Sequence, residues 1–359
     1  MLIEGQPTRT IWPAADGAVE ILDQTRLPHE VRTVRLTTLD DAVMAIGTMQ
    51  VRGAPLIGVT AAFGLALAMS ADPTDSNLLA ASAALVASRP TAVNLAWAVQ
   101  RTMADLVPLA SPAREAAAWA MAVRMADEDV AACRAIGENG AEIIAKIATS
   151  KKGERIHVLT HCNAGWLATV DWGTALAPVY VAQERGVDLH VWVDETRPRN
   201  QGAALTAFEL RHQGVPFTLI SDNAGGHLMQ RGDVDLCLVG ADRITARGDV
   251  ANKIGTYLKA LAAHDTGVPF WVAAPLSTFD FSLESGLDEI PIESRSPREV
   301  THMWGRLANG ALAEIETAPT GSAASNPAFD VTPARLISGF ITERGRHAAR
   351  RESLNALRG

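Results

Sequence analysis

From residue 155 onward, short and nearly continuous apolar runs at 155–161, 187–194, 215–220, 235–240 and 268–274 alternate with helical stretches. Several of these stretches close on glycine, as at Arg185-Gly186 and Gln213-Gly214. No other pattern restricts the fold as much. Strands that are apolar on both faces need helices on both sides, and a strand-helix repeat of this spacing is the signature of parallel βαβ units. The expected class is therefore α/β. The first run, within Arg155 to Thr169, stops at His161-Cys162-Asn163-Ala164-Gly165 and is expected to turn straight into a helix. In a parallel sheet the carboxyl ends of the strands line the ligand crevice, so Cys162 on that turn is a candidate nucleophile or base.

The region before the repeat reads differently. Residues 9 to 37 alternate apolar and polar side chains around an Asp16-Gly17 turn and a Leu27-Pro28 break, which predicts a three-stranded antiparallel meander serving as scaffold. Thr38-Leu39-Asp40-Asp41 opens a helix continuing through Ala42 to Met49. Next, Gln50-Val51-Arg52-Gly53-Ala54-Pro55 leads into an apolar helix whose proline suits its first turn. This is either an anion-ready helix start beside Arg52 or a tight turn with a solvated arginine. A polar stretch, Ser70 to Asn77, precedes another helix, and Arg89 then stands before a second proline-initiated helix in the same arrangement. Ser111 to Ala148 is helical, mildly broken by Gly137 and Gly140, and is expected to join an N-terminal domain of residues 1–127 to a catalytic domain of residues 128–359.

Composition narrows the function. The 359 residues are 48% apolar and 20% charged, ordinary values for a globular chain. A formal charge of −8 argues against a nucleic-acid partner held by a general basic field, so an anionic ligand must be met by a few local cations. Ala54 to Met69 is apolar but short and carries Gly58 and Gly64, which reads as a core helix rather than a membrane span. The start MLIEGQPTRTIWP has no signal-peptide pattern. Three cysteines without CxxC spacing suit the reducing cytoplasm; Cys133 and Cys237 read as packing.

If the sheet is parallel, the residues after each strand gather at one edge. They include Cys162 and Asn163, Asp194 to Arg197, Arg199 and Gln201, Ser221 to Asn223, Asp242 and Arg243, and Pro275 to Ser277. Gln201-Gly202-Ala203 and Ala251-Asn252-Lys253 are expected to open helices, with a phosphate between Lys253 and the helix dipole. No GxGxxG, GxxxxGK[ST] or GxSxG motif is present, which disfavours dinucleotide, P-loop and serine-hydrolase chemistry. Zinc held by His157, His161 and Cys162 fits no usual spacing. A cysteine and an aspartate, Cys162 and Asp242, remain with Arg52, Arg89 and Lys253. This set suits proton movement on a sugar phosphate, although Asp242 as a simple loop cap fits equally.

The runs Val51 to Gly58, Ser88 to Leu95, Thr160 to Gly165, Asp194 to Pro198, Gly240 to Ile244 and Asn252 to Thr256 resemble the methylthioribose-1-phosphate isomerases. Ser294-Arg295-Ser296-Pro297 and Asn326 to Pro333 do so too, and the motifs stand in family order over about residues 8 to 343. The resemblance implies a small antiparallel-sheet and helical domain followed by a Rossmann-like parallel-sheet domain. It also implies a homodimeric aldose-ketose isomerase of methionine salvage acting on a sugar phosphate without metal or nucleotide. Asp242 then matches the proton donor and Cys162 the second catalytic residue, while Arg52, Gly53, Ala54, Arg89, Gln201, Asn252 and Lys253 match substrate-holding positions. Related activities stay open: isomerisation of 5-deoxyribose 1-phosphate or ribose 1,5-bisphosphate, or a non-catalytic module like the regulatory subunits of an initiation-factor exchange complex. The basic segment Arg344 to Gly359 lies outside the match and carries no assigned function.

Overall fold

In the computed structural model, which describes residues 1–90 and 92–358, the apolar runs build one seven-stranded sheet. Thr91, within the Ser88 to Leu95 run, and Gly359, at the end of the basic segment, lie outside the described residues. The spatial order is Phe217–Ile220, Leu189–Asp194, Ile156–Thr160, Leu236–Val239, Phe270–Ala273, Gly339–Thr342 and Gly345–His347. Every neighbouring pair is parallel except the last, where Gly345–His347 closes the edge antiparallel. The chain steps outward from Ile156–Thr160 in one direction and then returns to its other side with Leu236–Val239. That reversal opens a crevice between the ends of those two strands. Cys162 follows the first of them and Asp242 the second.

The last two strands of this sheet were not anticipated from the sequence, nor was a second sheet of four strands ordered Phe279–Asp280, Arg243–Thr245, Val250–Lys253 and Phe329–Thr332. The expectation that Ala251-Asn252-Lys253 opens a helix is therefore corrected. Val250–Lys253 pairs antiparallel with both Arg243–Thr245 and Phe329–Thr332, and the helix Thr256–Thr266 begins only after Gly255 at φ +102°.

Toward the N-terminus, Ile11–Pro13, Val19–Leu22 and Thr33–Leu36 form the expected meander. Helix α1 (Leu39–Gly47) starts on a reciprocal cap in which Thr38 Oγ1 accepts from the Asp41 amide and Asp41 accepts from the Thr38 amide. Helix α2 (Ala54–Ala71) is apolar all round and buried from Leu56 to Met69, so it is a core helix wrapped by α3 (Asp75–Ser88), α4 (Val93–Leu106) and α5 (Ser111–Ser150). Each fully buried Leu, Ile or Phe on it is worth roughly 1.5–3 kcal/mol, far more than its helix propensity contributes.

Helix α5 runs unbroken for 40 residues. Gly137 and Gly140 do not interrupt it. They let Ala177–Glu184 approach, because a Cβ on Gly140 would overlap Pro178 Cγ and lie 2.7 Å from Pro178 Cβ. The N-terminal half of α5, through Ala126, packs into the core of the meander and α2, whereas Ile136, Ala141 and Ile144 pack into the core of the large sheet.

Candidate active site

The turn after Ile156–Thr160 is held from beneath. Cys162 takes φ +67°, a left-handed conformation uncommon for a side chain other than glycine or asparagine. Its amide donates to Thr196 Oγ1 at 2.8 Å and its carbonyl accepts from Thr206 Oγ1 at 2.7 Å. The expected helix directly after the turn is absent. A single 3-10 turn, Trp166–Ala168, follows instead, and the next helix begins at Ala177. The physical reason is Glu209. Its fully buried carboxylate accepts from the amides of Trp166 (2.9 Å) and Leu167 (2.8 Å), from Tyr180 Oη (2.9 Å) and from Asn163 Nδ2 (2.9 Å), pinning the chain against the sheet. A Cβ at Gly165 would overlap that carboxylate, which explains the glycine.

Because Asn163 Nδ2 donates to Glu209 and Thr206, its Oδ1 must face the other way, and there it accepts from Arg52 Nη1. Arg52 Nη2 donates to the Asn163 carbonyl at 2.7 Å. Arg52 is thus buried and fixed beside Cys162 instead of being a solvated turn residue. Gly53, at φ +95°, lies so close to Ala168 that a Cβ would overlap the Ala168 carbonyl oxygen, and the amino end of α2 starts there with no side-chain cap. Its uncapped amides are left to a ligand or to water.

Asp242 follows Leu236–Val239, its amide donating to the Ala251 carbonyl at 2.9 Å. The loop-cap reading fails, since its carboxylate makes no hydrogen bond to the described residues and is surrounded only by charges at longer range. It opens on a cavity of about 40 Å³ shared with Gly53, Ala54 and Arg89. Although Asp242 is half-buried by exposed surface, its carboxyl is deep enough that burial raises its pKa, against the pull of Lys253, Arg89 and Arg52. Burial likewise pushes the Cys162 thiol up, opposed by Arg52 and Lys253. The same desolvation lowers Arg52 and Lys253, and Cys162 and Asp242 oppose it.

Lys253 donates to the Ala328 carbonyl at 2.9 Å and lies 4.9 Å from the centre of the Phe329 ring. Arg89 contacts Glu293 at 3.4 Å, and its buried Nε has no partner among the described residues, a donor left for a ligand. The structure therefore gathers Cys162, Asp242, Arg52, Gly53, Ala54, Arg89 and Lys253. Gln201 stands beside Arg52 on an adjoining cavity of about 540 Å³, with its buried Oε1 unpartnered among the described residues. Asn252 differs. It is buried with Nδ2 on Thr256 Oγ1 at 3.0 Å, and it lines neither cavity. The larger cleft of about 1030 Å³ between α4, α5 and the chain end holds neither Cys162 nor Asp242.

Sequence reasoning missed Glu209, Glu293 and Lys259. For Glu209 the signal was there: a carboxylate inside Ala207-Phe208-Glu209-Leu210, on an otherwise apolar helix face. Lys259 Nζ lies 3.1 Å from Asp194 Oδ2, within the group His161, Asp194 and Asp222 whose ligand atoms are close enough for a metal ion. The ammonium occupies the place of a cation there. Neither His157 nor Cys162 belongs to that group.

The strand order is Rossmann-type, and a buried thiol, a raised carboxyl and three cations stand at its switch point, which defines the class as an α/β protein with a crevice at that point. A family model described as the initiation factor 2 subunit family matches residues 50–349, and the chain belongs to that family. A methylthioribose-1-phosphate isomerase of Methylorubrum extorquens is 62% identical over 358 residues, covering 99% of this chain and 98% of the relative. One from Escherichia coli O45:K1 is 58% identical over 99% of this chain and 95% of its own. Among solved structures, 5-methylthioribose 1-phosphate isomerase from Pyrococcus horikoshii OT3 superposes with a TM-score of 0.84 at 39% identity, covering 98% of this chain and 96% of that one. The A. fulgidus protein described as translation initiation factor eIF-2B, subunit delta, superposes with a TM-score of 0.78 at 36% identity over 95% and 96%.

Proposed function

We propose that this protein is an aldose-ketose isomerase converting 5-methylthioribose 1-phosphate to 5-methylthioribulose 1-phosphate, a step of methionine salvage. The observation that carries this reading is the raised carboxyl of Asp242 opposite a buried thiol, with Arg52, Arg89 and Lys253 around both. Full-length relatives with that activity in their names support it.

The anomeric oxygen of the substrate carries phosphate, so the ring cannot open through a free hemiacetal. Asp242, protonated, gives its proton to the ring oxygen as the C1–O bond breaks. Hydrogen then moves from C2 to C1, and Asp242 takes the C2 hydroxyl proton as the ketone forms, so proton and electron counts close without an external redox partner. Arg52, Arg89, Lys253 and the free amides at Gly53 and Ala54 hold the phosphate, and Gln201 lines the adjoining cavity; Asn252, its Nδ2 on Thr256 Oγ1, enters the substrate-binding set only if the ligand reaches past Lys253. Two routes exist for the C2 hydrogen: removal as a proton by Cys162, or migration with its electron pair. Burial raises the Cys162 thiol while Arg52 and Lys253 pull it back down, so these two cations are what would let it act as the base in the first route. In heavy water, deuterium appearing at C1 would argue for proton removal, and full retention for migration.

The proposal includes a homodimer in the cytoplasm with no metal or nucleotide. The three free, buried cysteines suit a reducing compartment. It also divides the chain into 1–127 and 128–359. A second reading, a non-catalytic subunit-like module, draws on the 36% identity to the A. fulgidus initiation-factor protein. A panel of 5-methylthioribose 1-phosphate, 5-deoxyribose 1-phosphate and ribose 1,5-bisphosphate decides: turnover of the first is expected, and no turnover of any would favour the module.

A further inference from the structure

The residue before Cys162 has a role that the reaction scheme above does not use. His161 is fully buried, and both of its ring nitrogens face acceptors: Nδ1 lies 2.9 Å from Asp194 Oδ2 and Nε2 lies 2.8 Å from the Ile254 carbonyl oxygen. A backbone carbonyl only accepts, so Nε2 carries hydrogen. Asp194 Oδ2 is also 3.1 Å from Lys259 Nζ, an arrangement that calls for an ionised carboxylate, so Nδ1 carries hydrogen as well. The assignment follows from the partners, and the ring is an imidazolium.

The groups packed around it come from several neighbouring elements. Asp222 Oδ1 stands 3.9 Å from Nδ1, and its carboxylate accepts from the amides of Thr196 and Arg197, each at 2.7 Å. Lys259 Nζ donates to the Asp222 carbonyl. Asp330 accepts from the amides of Gly255 (2.7 Å) and Tyr257 (3.0 Å), and its charge is coupled to His161 and Lys259. Gly255 is glycine because a Cβ there would lie 2.9 Å from His161 Cε1. Two cations thus face three carboxylates, with His161, Lys259 and Asp194 buried and Asp222 and Asp330 half-buried, and the ring spans from the Cys162 turn to the turn that follows Lys253.

We propose that His161, resting on the isomerase reading above, is a positioning residue: a doubly donating imidazolium that fixes Cys162 and Lys253 relative to each other across the switch point. Its ring faces Asp194 and the Ile254 carbonyl and lines neither of the cavities that hold Asp242 and Gln201. Its hydrogen bond to Ile254 sets the backbone one residue after Lys253, and its own backbone sets Cys162. Misplacement of a reacting group by about 1 Å costs on the order of 100-fold in rate.

The test has two arms. With the histidines labelled with nitrogen-15 and the His161 signal identified by its loss in His161→Gln, both ring nitrogens are expected to carry hydrogen in the folded protein, as their two acceptors require. A bare ring nitrogen there overturns the proposal, as does one tightly bound metal ion per chain competing with Lys259. In the kinetic arm, His161→Gln is expected to lower kcat about 10- to 100-fold with a much smaller change in KM. If that variant fails to fold, Gly255→Ala, which pushes the Ile254 carbonyl off the ring, is expected to give the same split. Wild-type kcat in either folded variant overturns the positioning role. A wild-type protein inactive on the whole panel would sink the isomerase reading, whereas the nitrogen-15 arm would still decide the state of His161.

Discussion

Asp242 carries the sharpest consequence at the scale of single residues. Its carboxyl is raised by burial, so in the folded protein it keeps a proton to higher pH than in the unfolded chain. By linkage, a group of that sign adds stability at low pH and loses it as pH rises through its folded value. Asp242→Asn should therefore lower kcat by roughly 10²-fold, the scale of a lost general acid, while leaving thermal stability at neutral pH equal or higher. Cys162→Ser should lower kcat on a similar scale of about 10²-fold without that stability gain. Near-normal turnover in either would remove the assigned role, and a large loss of stability in Asp242→Asn would contradict the burial argument.

Asp129 offers a separate check of the same sign rule away from the chemistry. It sits on α5, accepts from the Val170 amide at 2.7 Å, and burial raises it to about 7, with Asp171 adding to the shift. Its contribution to stability is present below the ordinary aspartate value and disappears as pH rises toward 7. Its side chain retains some access to the 1030 Å³ cleft, which moderates the size of the effect. Asp129→Asn should flatten the dependence of Tm on pH between about 4 and 7. A variant whose Tm falls across that range as steeply as wild type would show that Asp129 is not the group responsible.

At the scale of elements, the amino end of α2 is where backbone geometry and the proposed phosphate binding meet. Gly53→Ala must place a Cβ onto the Ala168 carbonyl at a backbone angle of +95°, and neither backbone can yield easily. The start of α2 would shift away from the cavity it shares with Asp242 and Arg89. The expected outcome is a lower Tm and a KM for the phosphate ester raised about 10-fold or more, since a lost charge-assisted contact is worth roughly 1.5–3 kcal/mol. An unchanged KM would mean that these amides do not hold phosphate. Elements were also where the sequence was most and least readable. The five apolar strands announced themselves because burial on both faces leaves no polar alternation to misread. Val250–Lys253 did not, because its partner Phe329–Thr332 lies some eighty residues on and no local pattern encodes that pairing. The missing helix after Cys162 was equally invisible locally: Glu209, more than forty positions away, holds the chain in an open turn there. The chemistry of the turn was legible only as residue types at a strand end; which of them face the crevice needed the fold.

On the scale of the whole molecule, one helix is shared by two cores, and the site lies where those cores meet. The N-terminal half of α5 belongs with Arg52 and Arg89, and its C-terminal half supports the sheet that carries Cys162 and Asp242. The proposed division at 127/128 therefore cuts through a continuous helix, so the two parts cannot shift independently without bending it. Gly140 stands on that helix against Pro178, where no Cβ has room. Two opposing effects decide what Gly140→Ala does. Replacing glycine by alanine in a helix interior gains about 1 kcal/mol of propensity, whereas forcing a methyl into a filled contact costs about 1–3 kcal/mol. The neighbour here is a rigid proline ring on a helix that itself packs on the sheet, and the added Cβ would also lie 3.2 Å from Ile341 Cδ1, so the cost should win. Thermal unfolding of Gly140→Ala should show a lower Tm, whereas a Tm above wild type would mean that α5 and Ala177–Glu184 can separate freely. In that case the rigid coupling of the two halves across the active site would be lost as an explanation of how Arg52 is held against the cysteine turn.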